Sequence, residues 1–334
     1  MQKAENINSI PPSFSNENAT PQAYGLRGTK NIVFAGTSSF AVEILKSLHN
    51  ARHNIKLVIT QPDKPTGRKK ILTPGPVKIF GEENNLPIYQ PLKINDPESV
   101  EKITGINADF FVVAAYGQKI GKTLLEWSVP VNVHGSLLPL LRGAAPIQYS
   151  LIKGFKETGV TTMIMNEGMD TGDMLLKRSV MIDINDNYGS LSEKLAKLGA
   201  ELIVETINNF DNITPEAQDN SLATVAKSIK PNDTIIDFSK SALDVHNLIR
   251  GLYPKPNALA KFRDKTVKFL VSEYIEDSEN HNLGKVLFVT KEGIVIGCKT
   301  GSFLLKECQP EGSKAMKAYD FAQGRHIKIG DSFS

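Results

Sequence analysis

The chain is poor in cysteine, with only two in 334 residues, and it has a single tryptophan. Cys298 and Cys308 stand alone, without CxxC spacing. This argues against a disulfide framework and a thiolate zinc site, and it suggests a reducing, cytoplasmic setting. Long apolar runs are missing as well. Stretches such as Phe110–Ala115 and Val286–Val289 are strand-length, well short of the ~18 apolar residues that a membrane span requires. Neither sign of charge dominates: a net charge of +3 permits a polyanionic partner without demanding one.

The first residues also lack apolar periodicity. Residues 1–30 are rich in Asn, Ser, Pro and Gln, and Lys3 and Arg27 are offset by Glu5 and Glu17. Neither a signal peptide nor an Arg-rich transit peptide fits, so a flexible tail or a start assigned too early is expected.

What remains is ordinary globular material. The length exceeds a usual domain of roughly 100–200 residues, so two domains are expected. The run Asn31–Gly36 ends in glycine and precedes a helical pattern over Phe40–Leu48: a strand, a turn and a helix. Further strands are expected at Lys56–Thr60, Asp109–Ala115, Pro130–His134, Gly159–Met165 and Met174–Ile182, with a polar loop over Gln61–Pro76. A long helix is expected from Tyr188 to Asn209, where Leu191, Leu195, Leu198, Leu202 and Val204 recur at helical spacing. This alternation predicts an α/β, Rossmann-like domain with a mostly parallel sheet over 31–209.

Residues 210–230 are polar and weakly periodic, as a linker would be. Over 231–330, one short helix near Ala242–Arg250 is followed by strand-like runs. They lie at Ala258–Phe262, Val267–Glu273, Lys285–Val289, Ile294–Cys298 and Ser302–Glu307. Short strands at this spacing predict a small, OB-like β-barrel.

In an open parallel sheet, ligands bind at the carboxyl ends of the strands. Asn132 and His134 sit at such an end, two residues apart and therefore on one side of the strand. Asp170 lies in a glycine-flanked loop, Asn166–Gly172. An amide, an imidazole and an acid could converge in one crevice. By residue type alone each also has a plain structural use, as a hydrogen-bonding strand end or a turn residue.

The words around these residues resemble the folate-dependent formyltransferases. They are Asn132-Val-His-Gly-Ser-Leu-Leu-Pro139, Arg142-Gly-Ala-Ala-Pro-Ile-Gln148, Gly159-Val-Thr-Thr162 and Met169-Asp-Thr-Gly-Asp173. The resemblance implies that Asn132, His134 and Asp170 are catalytic and that Ser136, Leu137, Leu138 and Pro139 lie along the folate. It further implies 10-formyltetrahydrofolate as formyl donor, with no metal. Gln61-Pro-Asp-Lys-Pro-Thr-Gly-Arg68 and Gln309-Pro-Glu-Gly-Ser-Lys-Ala-Met316 are similar to segments of those members that act on methionyl-initiator tRNA. On that likeness Arg68, Lys69 and Lys70 would bind the tRNA together with the second domain, and the protein would act as a monomer. Leu140, Leu141 and Lys255 depart from the family pattern, so contacts at those positions do not carry over.

The same residues admit rival readings. An amino-sugar nucleotide or a glycinamide nucleotide could accept the formyl group, although the purine enzyme has no use for residues 230–334. A dinucleotide-dependent dehydrogenase fits poorly, because Gly36-Thr-Ser-Ser-Phe-Ala41 offers one glycine where that fingerprint needs three. His49 and His53 have i, i+4 spacing, but they are expected to be two solvent-facing histidines without a third ligand. A pure RNA-binding module would leave His134 and Asp170 without a purpose.

Overall fold

The computed structural model describes residues 28–66, 70–276 and 279–334. The expected N-terminal tail therefore lies almost wholly outside the described residues, as do Arg68 and Lys69.

The first half opens with β1 (Asn31–Gly36), α1 (Ser39–Asn50) and β2 (Asn54–Ile59). Then come β3 (Lys64–Thr66), β4 (Ile71–Thr73), α2 (Pro76–Glu83), β5 (Ile88–Tyr89) and α3 (Pro97–Thr104). They are followed by β6 (Phe110–Ala114), α4 (Lys122–Trp127), β7 (Val129–His134), β8 (Arg142–Gly143) and α5 (Pro146–Ile152). A hairpin of β9 (Glu157–Ile164) and β10 (Met174–Met181) leads into α6 (Tyr188–Asn209). Seven strands form one sheet in the order β10-β9-β7-β6-β1-β2-β5. The pairs from β7 to β5 are parallel, and β9 is antiparallel to both its neighbours.

Both faces of this sheet are covered, which is why its central strands read as unbroken apolar runs. Ile32, Phe34, Phe110 and Val112 pack towards α1 and α6. Val33, Ala35, Phe111 and Val113 face the opposite side, where Leu124 of α4 lies. The strand order reverses between β1 and β6, so a crevice opens at the carboxyl ends of β1, β6 and β7.

The loop expected over Gln61–Pro76 contains the small hairpin β3–β4, in which Lys64 faces Thr73 and Thr66 faces Ile71. Its second strand exposes Ile71 and Leu72. The solvent-facing assignment of His53 is corrected. Its ring is buried, and burial together with the Lys30 charge lowers its pKa. His49 is half-buried, edge-on to Phe80 at 6.2 Å. Among the described residues, no group of three or more His, Cys, Asp or Glu is placed to hold a metal, and no helix is long and apolar enough to cross a membrane.

The segment after α6 carries β11 (Val225–Ala226), which pairs in parallel with β8. The second half comprises α7 (Ala242–Leu252), β12 (Ala258–Phe262), β13 (Lys265–Ile275), β14 (Val286–Thr290), β15 (Gly293–Gly297), β16 (Ser302–Pro310), β17 (Met316–Lys317) and α8 (Ala318–Arg325). Its strands run in the order β12-β13-β16-β15-β14, with β17 added to β16. Phe262, Phe269, Phe303, Phe321 and Phe333 form a contiguous ring cluster beneath them. The last residues bridge the two edge strands. Ser334 exchanges backbone bonds with Lys261 of β12, while Gly330 and Asp331 bond Val286 of β14. Helix α8 was not expected, because its buried positions are small (Ala318, Ala322) around one phenylalanine, which leaves little apolar signal.

The two halves meet where α7 packs on α5 and on the turn before α6. Arg250, buried, donates from Nη1 to the carbonyls of Asp183 (2.9 Å) and Asp186 (3.1 Å). His246 Nε2 donates to the Ile184 carbonyl at 3.2 Å, which leaves Nδ1 to accept from Ser272 Oγ at 2.9 Å. Burial, first, and the Arg250 charge push this imidazole's pKa down against the opposing Ile184 carbonyl. The unfolded chain takes up a proton near pH 6.5 that the folded junction resists, so stability is lost as pH falls from about 6.5 through the depressed folded value. Urea unfolding at pH 7.5 and pH 5.5 should show a smaller pH difference in His246→Gln than in the unmutated chain. Equal differences would remove His246 as a titrating element of the junction.

Candidate functional site

The crevice at the strand ends is a cavity of about 580 Å³, within the usual range for small-molecule sites. Its walls come from Ser38 after β1, Ala115–Ile120 after β6, Asn132–Gly135 at the end of β7, and Met163–Asp170 across β9 and the following loop. Its lining mixes apolar side chains (Val113, Ile120, Ile147, Met163 and Met165) with polar ones, among them Asn132, His134 and Asp170. The three residues singled out in sequence therefore line one cavity.

His134 is buried at the end of β7, and its Nε2 lies 3.0 Å from the Leu141 carbonyl oxygen. That oxygen can only accept, so Nε2 carries the hydrogen and Nδ1 is the nitrogen left to the cavity. Leu141 aims its carbonyl from a left-handed backbone, φ +58°. Its own N–H is held by Thr224 Oγ1 at 2.8 Å. His134 Nδ1 faces Asp170 Oδ2 at 3.7 Å, too far for a direct hydrogen bond. Asp170 Oδ2 accepts from the Gly143 N–H at 2.8 Å. Asp170 is itself left-handed, φ +53°, a conformation that non-glycine residues keep only where the surroundings hold it. The Asn132 side chain makes no hydrogen bond among the described residues and remains available to a ligand.

Gly143 is required by its position. Its φ is +120°, and a Cβ there would come within 2.6 Å of the Ala226 carbonyl oxygen across the β8–β11 pair. Sequence reading missed this second strip entirely. Gln218, Asn220 and Thr224 lie in a stretch without periodicity, yet they bond Arg142, Asp170, Gly172 and Leu141. The segment expected to be a linker is thus hydrogen-bonded to the turn and the loop that flank the site.

The Ser136–Pro139 segment follows directly on the strand end that carries Asn132 and His134. Ser136 and Leu138 are buried, and none of the four residues lines the cavity. The Ser136 hydroxyl donates to the Leu140 carbonyl at 2.5 Å, and its carbonyl accepts from Thr161 Oγ1 at 2.8 Å. Leu138 packs with Met163 and Met174. Of the basic trio, Lys70 is exposed beside the β3–β4 hairpin, at φ +49°.

Residues 29–207 match the formyl transferase family, and residues 228–326 match the formyl transferase C-terminal domain. A methionyl-tRNA formyltransferase of Citrifermentans bemidjiense is 42% identical over 305 residues, 90% of this chain and 95% of that protein. That of Caldicellulosiruptor saccharolyticus is 44% identical over 313 residues, 91% of this chain and 100% of that protein. The fold is also that of an N-formyltransferase from Helicobacter canadensis, solved with folinic acid and dTDP-3-aminofucose. That structure has a TM-score of 0.64 and 18% identity, and the match covers 83% of this chain and 99% of that one. On its sequence, its two-domain α/β fold and these relatives, the chain belongs to the methionyl-tRNA formyltransferase family.

Proposed function

We propose that the protein transfers the formyl group of 10-formyltetrahydrofolate to the α-amino group of methionyl-initiator tRNA. The observation that carries this reading is the convergence of Asn132, His134 Nδ1 and Asp170 on one cavity that also presents apolar side chains such as Val113, Ile120, Met163 and Met165. A flat pterin suits the apolar side chains, and a formyl oxygen suits the donors. The bound folate would supply the formyl carbon and the nitrogen that leaves it.

The protein's own groups divide the remaining work. With Nε2 committed to Leu141, His134 can reach the formyl oxygen only through a proton on Nδ1. Asn132 offers an amide N–H to the same atom. Together they stabilise the negative charge that builds there as the amine attacks. Asp170 takes the proton that the amine loses and passes it on towards the departing nitrogen, directly or through water. No covalent bond to the protein is needed. The Ser136–Pro139 segment would lie along the folate, as the family motif implies. No metal enters the reaction.

We read residues 31–209 as the catalytic domain, 210–230 as the connector and 231–330 as the tRNA-binding domain. The bonds of the C-terminal residues to both β12 and β14 support a closed, OB-like barrel there. The β3–β4 hairpin, with Lys64 and Lys70 exposed, supports a second tRNA contact that would include Arg68 and Lys69. The same reading has the chain acting as a monomer in the cytoplasm, and its two free, buried cysteines fit a reducing setting.

His134→Ala should lower turnover by about 10²–10³, as expected for the loss of one oxyanion donor, and Asp170→Asn by about 10²–10⁴. Folate binding by fluorescence titration should survive in both. Near-normal turnover in either variant would remove that residue from the mechanism. Separately, kcat/KM for methionyl-tRNA should fall steeply with salt, and Lys70→Ala should flatten the log–log slope by about one. An unchanged slope would detach this side of the hairpin from the tRNA.

A further inference from the structure

The connector between the two halves is bonded to the catalytic loop through one side chain. Gln218 is 9% exposed. Its Nε2 donates to the backbone carbonyls of Asp170 (2.9 Å) and Gly172 (2.7 Å), and its Oε1 accepts from Arg142 Nε at 2.9 Å. Both amide hydrogens and the amide oxygen are thereby used. Arg142 is fixed in turn by Asn220 Oδ1 at 2.9 Å. Gln218 therefore ties the loop that carries Asp170 to the turn whose Gly143 N–H holds the Asp170 carboxylate. Asp170 needs such a restraint, because its left-handed backbone (φ +53°) is not one that aspartate keeps unaided. The side chain of Gln218 touches the backbone of the loop and not its carboxylate.

We infer that Gln218 is a positioning residue for formyl transfer, holding Asp170 so that its carboxylate faces His134 Nδ1. The inference rests on the reading of Asp170 as the proton relay. It assigns a catalytic consequence to the segment that links the domains.

Gln218→Glu tests it. The substitution keeps the size and the acceptor for Arg142, but it turns a second oxygen towards two carbonyl oxygens. kcat should fall about 10–100-fold, the scale of a roughly 1 Å misplacement of a reacting group. KM for the folate donor and for methionyl-tRNA should stay within about 2-fold of the unmutated values. In an Asp170→Asn background, read under single-turnover conditions, the same change should cost less than about 2-fold, because the two residues act as one unit. An unchanged kcat, a loss confined to KM, or the same penalty in both backgrounds would each overturn the inference. If Gln218→Glu does not fold, Arg142→Lys withdraws the Nε donor from the other side of the amide and carries the same cycle. Absence of formyl transfer by the unmutated chain would defeat the reading of Asp170, whereas an active chain with an additive cycle would defeat this inference alone.

Discussion

A carbonyl oxygen accepts but cannot donate, and the bond from His134 Nε2 to the Leu141 carbonyl uses this to fix the imidazole. It orients the ring, assigns the hydrogen to Nε2 and leaves Nδ1 for the cavity. Everything proposed for the reacting centre depends on that assignment. The bond in turn depends on a left-handed Leu141 whose N–H is held by Thr224, a residue 83 positions further along the chain. The side of His134 that faces the cavity is therefore set by a segment outside the sheet that carries it.

The molecule separates rigid support from adjustable parts. Strands β1, β6 and β7 are buried on both faces and end together, which fixes where Asn132 and His134 stand. Asp170 comes from a loop and has no such footing. It is held by the Gly143 N–H and by the amide of Gln218, two contacts supplied by the β8 turn and the connector. Precision at a strand end follows from packing. Precision on a loop has to come from hydrogen bonds made to it, and here they come from the β8 turn and from the chain between the domains.

This division also explains what could be read from the sequence. The strands of the first sheet were legible because burial on both faces leaves continuous apolar runs, and α6 because its leucines recur at helical spacing over 22 residues. The trio Asn132, His134 and Asp170 was legible through the words around it. Gln218 and Thr224 were not, since a side chain that bonds a distant backbone carbonyl or N–H leaves no local period. Ser136–Pro139 show the opposite case. Their family likeness is plain, but the partners of the Ser136 carbonyl and of Leu138, Thr161 and Met163, are ones that sequence order does not bring near them. His53 escaped because its burial comes from the turn after α1 and not from a patterned element.

The proposed activity differs from its rivals chiefly in the amine that attacks. The H. canadensis protein with the same fold was solved with dTDP-3-aminofucose, so the fold alone does not name the amine. Selection would come from the β3–β4 hairpin and the second domain, neither of which contributes a residue to the cavity lining. The most direct test offers the purified chain 10-formyltetrahydrofolate with methionyl-initiator tRNA, methionyl-elongator tRNA and a dTDP-amino sugar in parallel, and follows the formylated products by mass. The account predicts formylation of the initiator tRNA in clear preference to the elongator, and none of the sugar. Efficient formylation of the amino sugar, or no preference between the two tRNAs, would contradict it.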